Sequence, residues 1–223
     1  MAVRLMNNKT KPVHTQFEKG QVIFMKMFIK SACIAFVLTV IYSLIPFQAE
    51  CRGISDEVFR LHILANSDSE QDQKLKLKVR DKVLLYTEDL FKNANSLEEA
   101  EKVVADNIKQ ICNVAYKEVH DNGYNYTVKA EITNMYFTTR YYEDYTMPSG
   151  MYDALRITIG KGEGHNWWCV MNPSICISAA GEKDEKAKEV LDEAQYNIVR
   201  NEKLEYKFKI VEIFEKICSV FCS

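Results

Sequence analysis

The chain has 223 residues, 47% hydrophobic and 27% charged, with a formal net charge of −2, which is ordinary globular composition with room for one domain and an additional segment. The near-neutral total conceals an uneven distribution: residues 1–51 hold six basic and two acidic side chains, leaving 23 basic against 29 acidic in the remainder. A body this acidic lacks the concentrated positive field that phosphate contacts need, which excludes nucleic acid as a partner.

Residues 1–25 read as a cytoplasmic extension, or as a stretch preceding the true start, since Met25 and Met27 are alternative starts. Residues 26–50 read as a signal peptide or membrane anchor. Lys26 and Lys30 stand before an uncharged run from Ser31 to Phe47, the order of a positive flank followed by a bilayer-soluble helix. A buried core helix would show a polar stripe, and none is visible. Counted from Met27 to Phe47, the run reaches the ~20 apolar residues that span a bilayer. A cut after Ala49 would put Phe47 at the outer small-residue position, and Glu50 before Cys51 makes a poor lipid-attachment site. Cleaved signal and uncleaved anchor both stay open. Residues 52–223 are expected outside the cytoplasm, where disulfides form.

The body opens with Phe59–Ala65, a short apolar strand punctuated by Asn66-Ser67-Asp68-Ser69. Ser67 and Glu70 have capping-box spacing and predict a helix over about 68–91, with Leu75, Val79, Val83, Tyr86 and Leu90 along it. Ser96 and Glu99 open a second helix, on one face of which fall Leu97, Ala100, Val104, Ile108, Ile111, Ala115 and Val119, before Asn122-Gly123 ends it. The period then changes to two. Tyr126, Val128, Ala130 and Ile132 alternate with polar residues, and so do Leu155, Ile157 and Ile159. These two strands are expected to pair antiparallel, joined by the aromatic, acidic stretch around Tyr141–Tyr145. A further strand carries Asn166–Val170. From Glu182 the chain reads as helical, with an apolar stripe from Ala187 to Phe214 that packs on the domain's own sheet or on a partner or membrane surface. The sum is an α+β fold: an antiparallel sheet covered by helices and preceded by an N-terminal signal or membrane helix.

Cys169 and Cys176 flank a turn short enough for a disulfide, worth roughly 2–3 kcal/mol on the chain-entropy model; the alternative is two packed thiols. One cysteine pair falls short of the four ligands of a zinc site, so no metal or cofactor is expected. Cys112 reads as core, and Cys218 and Cys222, one helical turn apart, as partly buried thiols. Gly160-Lys161-Gly162-Glu163-Gly164 follows a strand but leads into His165-Asn166-Trp167-Trp168 instead of a helix N-terminus, which argues against phosphate binding. Adjacent tryptophans in a strand face opposite sides, so one of Trp167 and Trp168 is left for a contact surface with His165 and Asn166. His62, mid-strand among apolar neighbours, reads as a hydrogen-bonded core histidine, with Arg60 and Arg156 as partners of nearby carboxylates in a structural polar network. A small secreted hydrolase using His62 or His165 with Asp68 or Cys169 is the rival reading, although no nucleophile elbow, zinc-protease or catalytic-cysteine signature is present.

Three stretches together resemble the stage II sporulation protein R family. They are Phe59–Ser69 with Asp72-Gln73 and Leu75–Asp81; Gly150, Tyr152 and Ala154–Gly160; and Gly162, Gly164, Asn166–Val170, Pro173 and Cys176. Asn172 and Ser174 depart from that pattern. The resemblance covers about Val58 to Cys176. It implies a non-enzymatic signalling protein of endospore formation, exported from the forespore into the intermembrane space of the septum. Its implied partner is a membrane-embedded aspartic protease of the mother cell, which then processes pro-sigma-E. A structural protein of the septum, tethered by residues 27–47, is a further alternative.

Overall fold

The computed structural model describes residues 13–94, 96–142, 144–173, 180–201 and 204–221. The chain divides after Pro46 into two compact units. Helix α1 runs Val13–Glu57 with Pro46 inside it, so its last residues, from Phe47, belong to the second unit. Its stretch from Gln21 is long and apolar enough to cross a membrane, and its most apolar window is wholly unburied. Phe24, Phe28, Ile34, Phe36 and Leu38 are all exposed. Leaving each such side chain in water forfeits roughly 1.5–3 kcal/mol. By length and composition this helix fits a membrane segment or a signal sequence.

The second unit is built from β1 (Phe59–Leu64), α2 (Glu70–Leu90), a single 3-10 turn (Phe91–Asn93), α3 (Leu97–Asp121), β2 (Val128–Phe137), β3 (Arg140–Tyr141), β4 (Thr146–Met147), β5 (Gly150–Ile159), β6 (Asn166–Asn172), α4 (Ala180–Val190), α5 (Glu193–Arg200) and α6 (Glu205–Phe221). The main sheet has the order β2-β5-β1-β6, and β3 with β4 forms a separate two-stranded ribbon. The antiparallel pairing expected between the second and third long strands is present as β2–β5. β1 also pairs antiparallel with β6, but it lies parallel to β5. A parallel neighbour requires a long crossover, and α2, α3 and β2 together supply it. The class is α+β with a mixed sheet.

Strand β1 is buried at every position, because it is central and both faces are covered. One face carries Phe59, Leu61 and Ile63 with Leu155, Ile157 and Ile159 against Leu75, Val79 and Val83 of α2 and Val104, Ile111 and Ala115 of α3. The predicted stripe of α3 is thus the buried one. Part of the opposite face, around Ala154 and Val170, is covered by Ile54 and Val58, by Tyr145 and Met147, and by Ala187, Leu191 and Val199.

Two local expectations change. Helix α2 is capped by Ser69, which accepts from the Asp72 backbone N–H, and not by Ser67. The Ser67 hydroxyl instead donates to Asp72 Oδ2 at 2.6 Å, a charge-assisted bond stronger than a cap on a neutral amide. The C-terminal helical region is broken into three: a capping box at Asp192 and Gln195 starts α5, and Asn201 caps its other end. Helix α3 begins as the spacing predicts, with the Ser96 side chain accepting from Glu99 N. Ser96→Ala is expected to lower stability by about 1 kcal/mol, read as a shift of the urea midpoint of the full chain in detergent with an unchanged slope.

Candidate functional site

Two constellations occupy the stretches singled out in the sequence. The first crosses the sheet on the face away from α2 and α3. Register sets Glu131 opposite Arg156, Arg156 opposite His62 and His62 opposite Trp168, one row over four strands. The His62 and Trp168 rings stack at 4.0 Å, with 9° between their planes. Phe137 stands edge-on to Trp168 at 4.7 Å, and the Arg140 guanidinium lies 5.0 Å from the Trp168 ring centre.

His62 is buried and neither ring nitrogen has a hydrogen-bond partner among the described residues. Burial lowers its pKa to about 4; Asn166 works against that shift, and Arg156 and Arg140 add to it. The ring is therefore neutral at pH 7. It serves as a plate in a stack, buried as a core histidine is but without the hydrogen bond expected of one.

Arg60, one register step away, is entirely buried. Its cross-strand neighbours are Ala154 and Val170, so no carboxylate stands opposite. Nε donates to the Cys169 carbonyl at 2.9 Å and Nη2 to the Tyr142 hydroxyl at 2.9 Å. The guanidinium lies 4.4 Å from the Phe137 ring centre and 4.9 Å from that of Tyr152. Desolvating a cation is expensive, and ring faces with neutral acceptors offset part of that here. The structure thus brings Arg60, His62 and Arg156 to one face, but aromatic rings and not acids hold Arg60. Arg140 and Phe137 were not singled out in the sequence; Tyr152 entered only through the family resemblance and Tyr142 only as part of an aromatic connection. They lie at strand ends or in the ribbon, where no periodicity marks them.

The second constellation joins the loop after β1 to the glycine loop after β5. Gly164 N donates to Ala65 O at 3.0 Å and Glu163 N to Asn66 O at 3.3 Å, while Lys161 N donates to Asn66 Oδ1 at 3.1 Å. Gly160 and Gly162 have φ of +58° and +66°, which glycine adopts freely. A Cβ on Gly164 would stand 2.2 Å from the Ser67 carbonyl oxygen, so only glycine admits this approach. Asp72 is buried beneath the loops. Burial pushes its carboxyl up, but hydrogen bonds from Ser67, Asn66, Tyr126 and Ser69 outweigh it and hold the group below the usual carboxylate range. Lys76, also buried, donates to Gln73 Oε1 at 2.6 Å and to His165 O at 2.8 Å; burial lowers its pKa against the pull of Asp68. His165 is exposed, and its ring Nδ1 and backbone N–H both meet Asp68 Oδ1, which draws the Asp68 carboxyl down. The glycine string is a fastening between two loops, the first of which leads into the N-cap of α2.

The tryptophans separate as alternation requires. Trp167 packs on the helical side with the Arg80 guanidinium 4.3 Å from its ring centre, whereas Trp168 takes the other side. Of the four residues expected as a contact surface, His165 and Asn166 are exposed and both tryptophans are half-buried. Cys169 is buried on β6; Cys33 and Cys112 carry free thiols, with Cys112 half-buried and donating to Val128 O at 3.5 Å. Cys176 and Cys222 lie outside the described residues. Among the described residues, no three His, Cys, Asp or Glu side chains are grouped to hold a metal.

Comparison with known proteins adds the family. The model for stage II sporulation protein R matches residues 55–182. Stage II sporulation protein R of Bacillus subtilis (strain 168) is 39% identical over 124 residues, 56% of this chain and 55% of that protein, so the chain spans about half the length of this curated relative. No solved structure matches. The whole four-stranded sheet and both interlocked loops fall inside the matched region, and the chain belongs to the stage II sporulation protein R family.

Proposed function

We propose that this protein is an exported, non-enzymatic signal of endospore formation, carried across the forespore membrane by residues 26–50. In this reading the body acts in the intermembrane space of the septum and switches on a membrane-embedded aspartic protease of the mother cell, leading to pro-sigma-E processing. The observation that carries it is family membership over the entire sheet. The unburied apolar helix preceding the body supports it, because a messenger made on one side of a membrane needs such a segment.

The experiment is co-expression with the protease and its pro-protein in a host lacking all three, with and without residues 26–49. Processing is expected with the segment and to fall to background without it. Equal processing from a body retained in the cytosol would overturn the reading.

A hydrolase has one observation in its favour, the His165–Asp68 pair on the surface. A dyad still needs a nucleophile, and the hydroxyls that flank Asp68 in the chain are committed: Ser67 to Asp72, Ser69 to the cap of α2. The pure protein is therefore expected to show no turnover of a small ester, whereas turnover that His165→Ala abolishes would favour the enzyme. We also propose a Cys169–Cys176 disulfide fastening the end of β6. Mass spectrometry of a non-reduced digest is expected to find the two peptides linked in exported protein, and free thiols at both would dismiss it.

A further inference from the structure

The row that crosses the second face of the sheet carries Arg156 beside His62, and Arg140 stands past its Trp168 end. Among the described residues neither Arg140 nor Arg156 has an ion pair, and the Nε of each is buried with no hydrogen-bond partner. The carboxylate that faces Arg156 across the strands, Glu131, is bonded to Lys129 at 2.5 Å; that contact first, with the field of Arg156 adding to it, draws its carboxyl below the usual range, so Arg156 shares this anion and does not hold it. Between the two arginines stand the Trp168 and His62 rings, stacked and backed by Phe137. Arg140 is fixed against the Trp168 face and Arg156 beside His62 by register. A guanidinium presents a planar fork that matches a carboxylate bidentately. Here two forks flank a half-buried aromatic plate that supplies apolar contact and excludes water.

The geometry points to a docking surface for an acidic segment of a protein partner, and we propose that Arg140 and Arg156 receive its carboxylates on either side of Trp168. The proposal takes from the signalling reading only that the partner is a protein. Charge selects the occupant: locally the face is cationic, while the body from Arg52 onward carries 29 acidic against 23 basic residues. That excess repels an extended polyanion such as nucleic acid or an anionic membrane, whose field is felt over a Debye length of about 8 Å and beyond. A short acidic segment answers to the two arginines alone. Trp167, on the helical side beside Arg80, takes no part, which divides the tryptophan pair into one structural ring and one contact ring.

The test uses the full chain in detergent. The sequence has two tryptophans, so Trp167→Phe leaves Trp168 as the reporter. A capped Glu-Gly repeat peptide is titrated against a Gln-Gly repeat, inorganic phosphate and vesicles of anionic lipid. Saturable change in Trp168 emission is expected with the Glu peptide, at a Kd of about 1 mM or below, and weakened about tenfold or more by Arg140→Gln with Arg156→Gln. Equal response to the Gln peptide, tighter binding of phosphate or vesicles, or no response to the Glu peptide would each overturn it. Side-chain Nε–Hε resonances of Arg140 and Arg156 in the unmutated chain give the same reading should the Phe variant fail to fold. In the co-expression assay, Arg140→Glu with Arg156→Glu is expected to reduce processing about tenfold or more while Lys161→Glu does not. Peptide binding without any effect of the chain on the protease would sink the signalling reading and leave the surface standing. Processing that survives the double reversal would do the opposite.

Discussion

Gly164→Ala is expected to destabilise the body by about 3 kcal/mol, the sum of overpacking and of a hydrogen bond pushed apart. The new Cβ would stand 2.2 Å from the Ser67 carbonyl oxygen, 2.5 Å from its carbon and 3.0 Å from Ala65 Cβ. All three are backbone atoms or the root of a side chain, so no rotamer relieves the clash. The loops must separate, and the Gly164 N–H to Ala65 carbonyl bond separates with them. Asn66, which reaches both Lys161 N and Asp72, would then lose its place, exposing the buried Asp72 carboxylate to partial loss of its donors. Gly123→Ala is the control. Its φ of +84° costs an alanine about 1 kcal/mol, but nothing lies within 4 Å of the added carbon. Urea midpoints of the two variants should differ about threefold in their displacement from the parent. Equal displacements would mean that the loops are not fastened as described.

That fastening explains which parts of the fold were legible. Strand β1 and the stripe of α3 announced themselves because burial dictates their residue types position by position. The glycine string was visible too, and that a strand and not a helix follows it in the chain is read from His165 and the tryptophans. What it grips was not legible, because the contact is between backbones that lie 97 or more residues apart in the chain. Pairing direction was hidden for a related reason. Period two tells which face a side chain takes and is silent on whether a neighbour runs parallel, so the β1–β5 pair could only emerge from the crossover through α2 and α3. The start of α2 misled because Ser67, Asp68 and Ser69 all have N-cap chemistry; the choice fell to Ser69 once Asp72 claimed the Ser67 hydroxyl.

Arg60 shows the same limit at the site. Among apolar strand residues an arginine suggests a carboxylate partner, since buried charges are usually paired. Its register neighbours are Ala154 and Val170, and the groups that do receive it are the Cys169 carbonyl, the Tyr142 hydroxyl and two ring faces. Phe137 and Tyr142 reach it from the end of β2 and from the ribbon that follows. An aromatic stretch that looked like a loop connecting two strands is therefore part of the lid over the cation. The row beside it, which carries Arg140 and Arg156, is legible only once four strands are set in order.

Acidification is expected to weaken the fold through one ring. His62 is a base whose folded pKa, about 4, lies below its ordinary 6.5. Between those values the unfolded chain binds a proton that the folded chain refuses, so stability is full above pH 6.5 and falls as pH drops toward 4. A tenfold difference in proton affinity between the two states is worth about 1.4 kcal/mol, which bounds this group's contribution at about 3 kcal/mol across the window. Carboxylates such as Asp72 and Asp68, held below their usual range, lose their contribution only below that window, in stronger acid. His62→Phe separates the cause. A phenyl ring keeps the stack on Trp168 and the edge contact with Phe137 but cannot take a proton, and it removes two buried nitrogens that have no partner among the described residues. Denaturation at pH 7 and pH 4.5, followed by tryptophan fluorescence, should show the parent losing about 2 kcal/mol more than the variant. Parallel losses in both chains would mean that the ring is solvated or paired in the folded state, and the neutral plate between the two arginines would go with it.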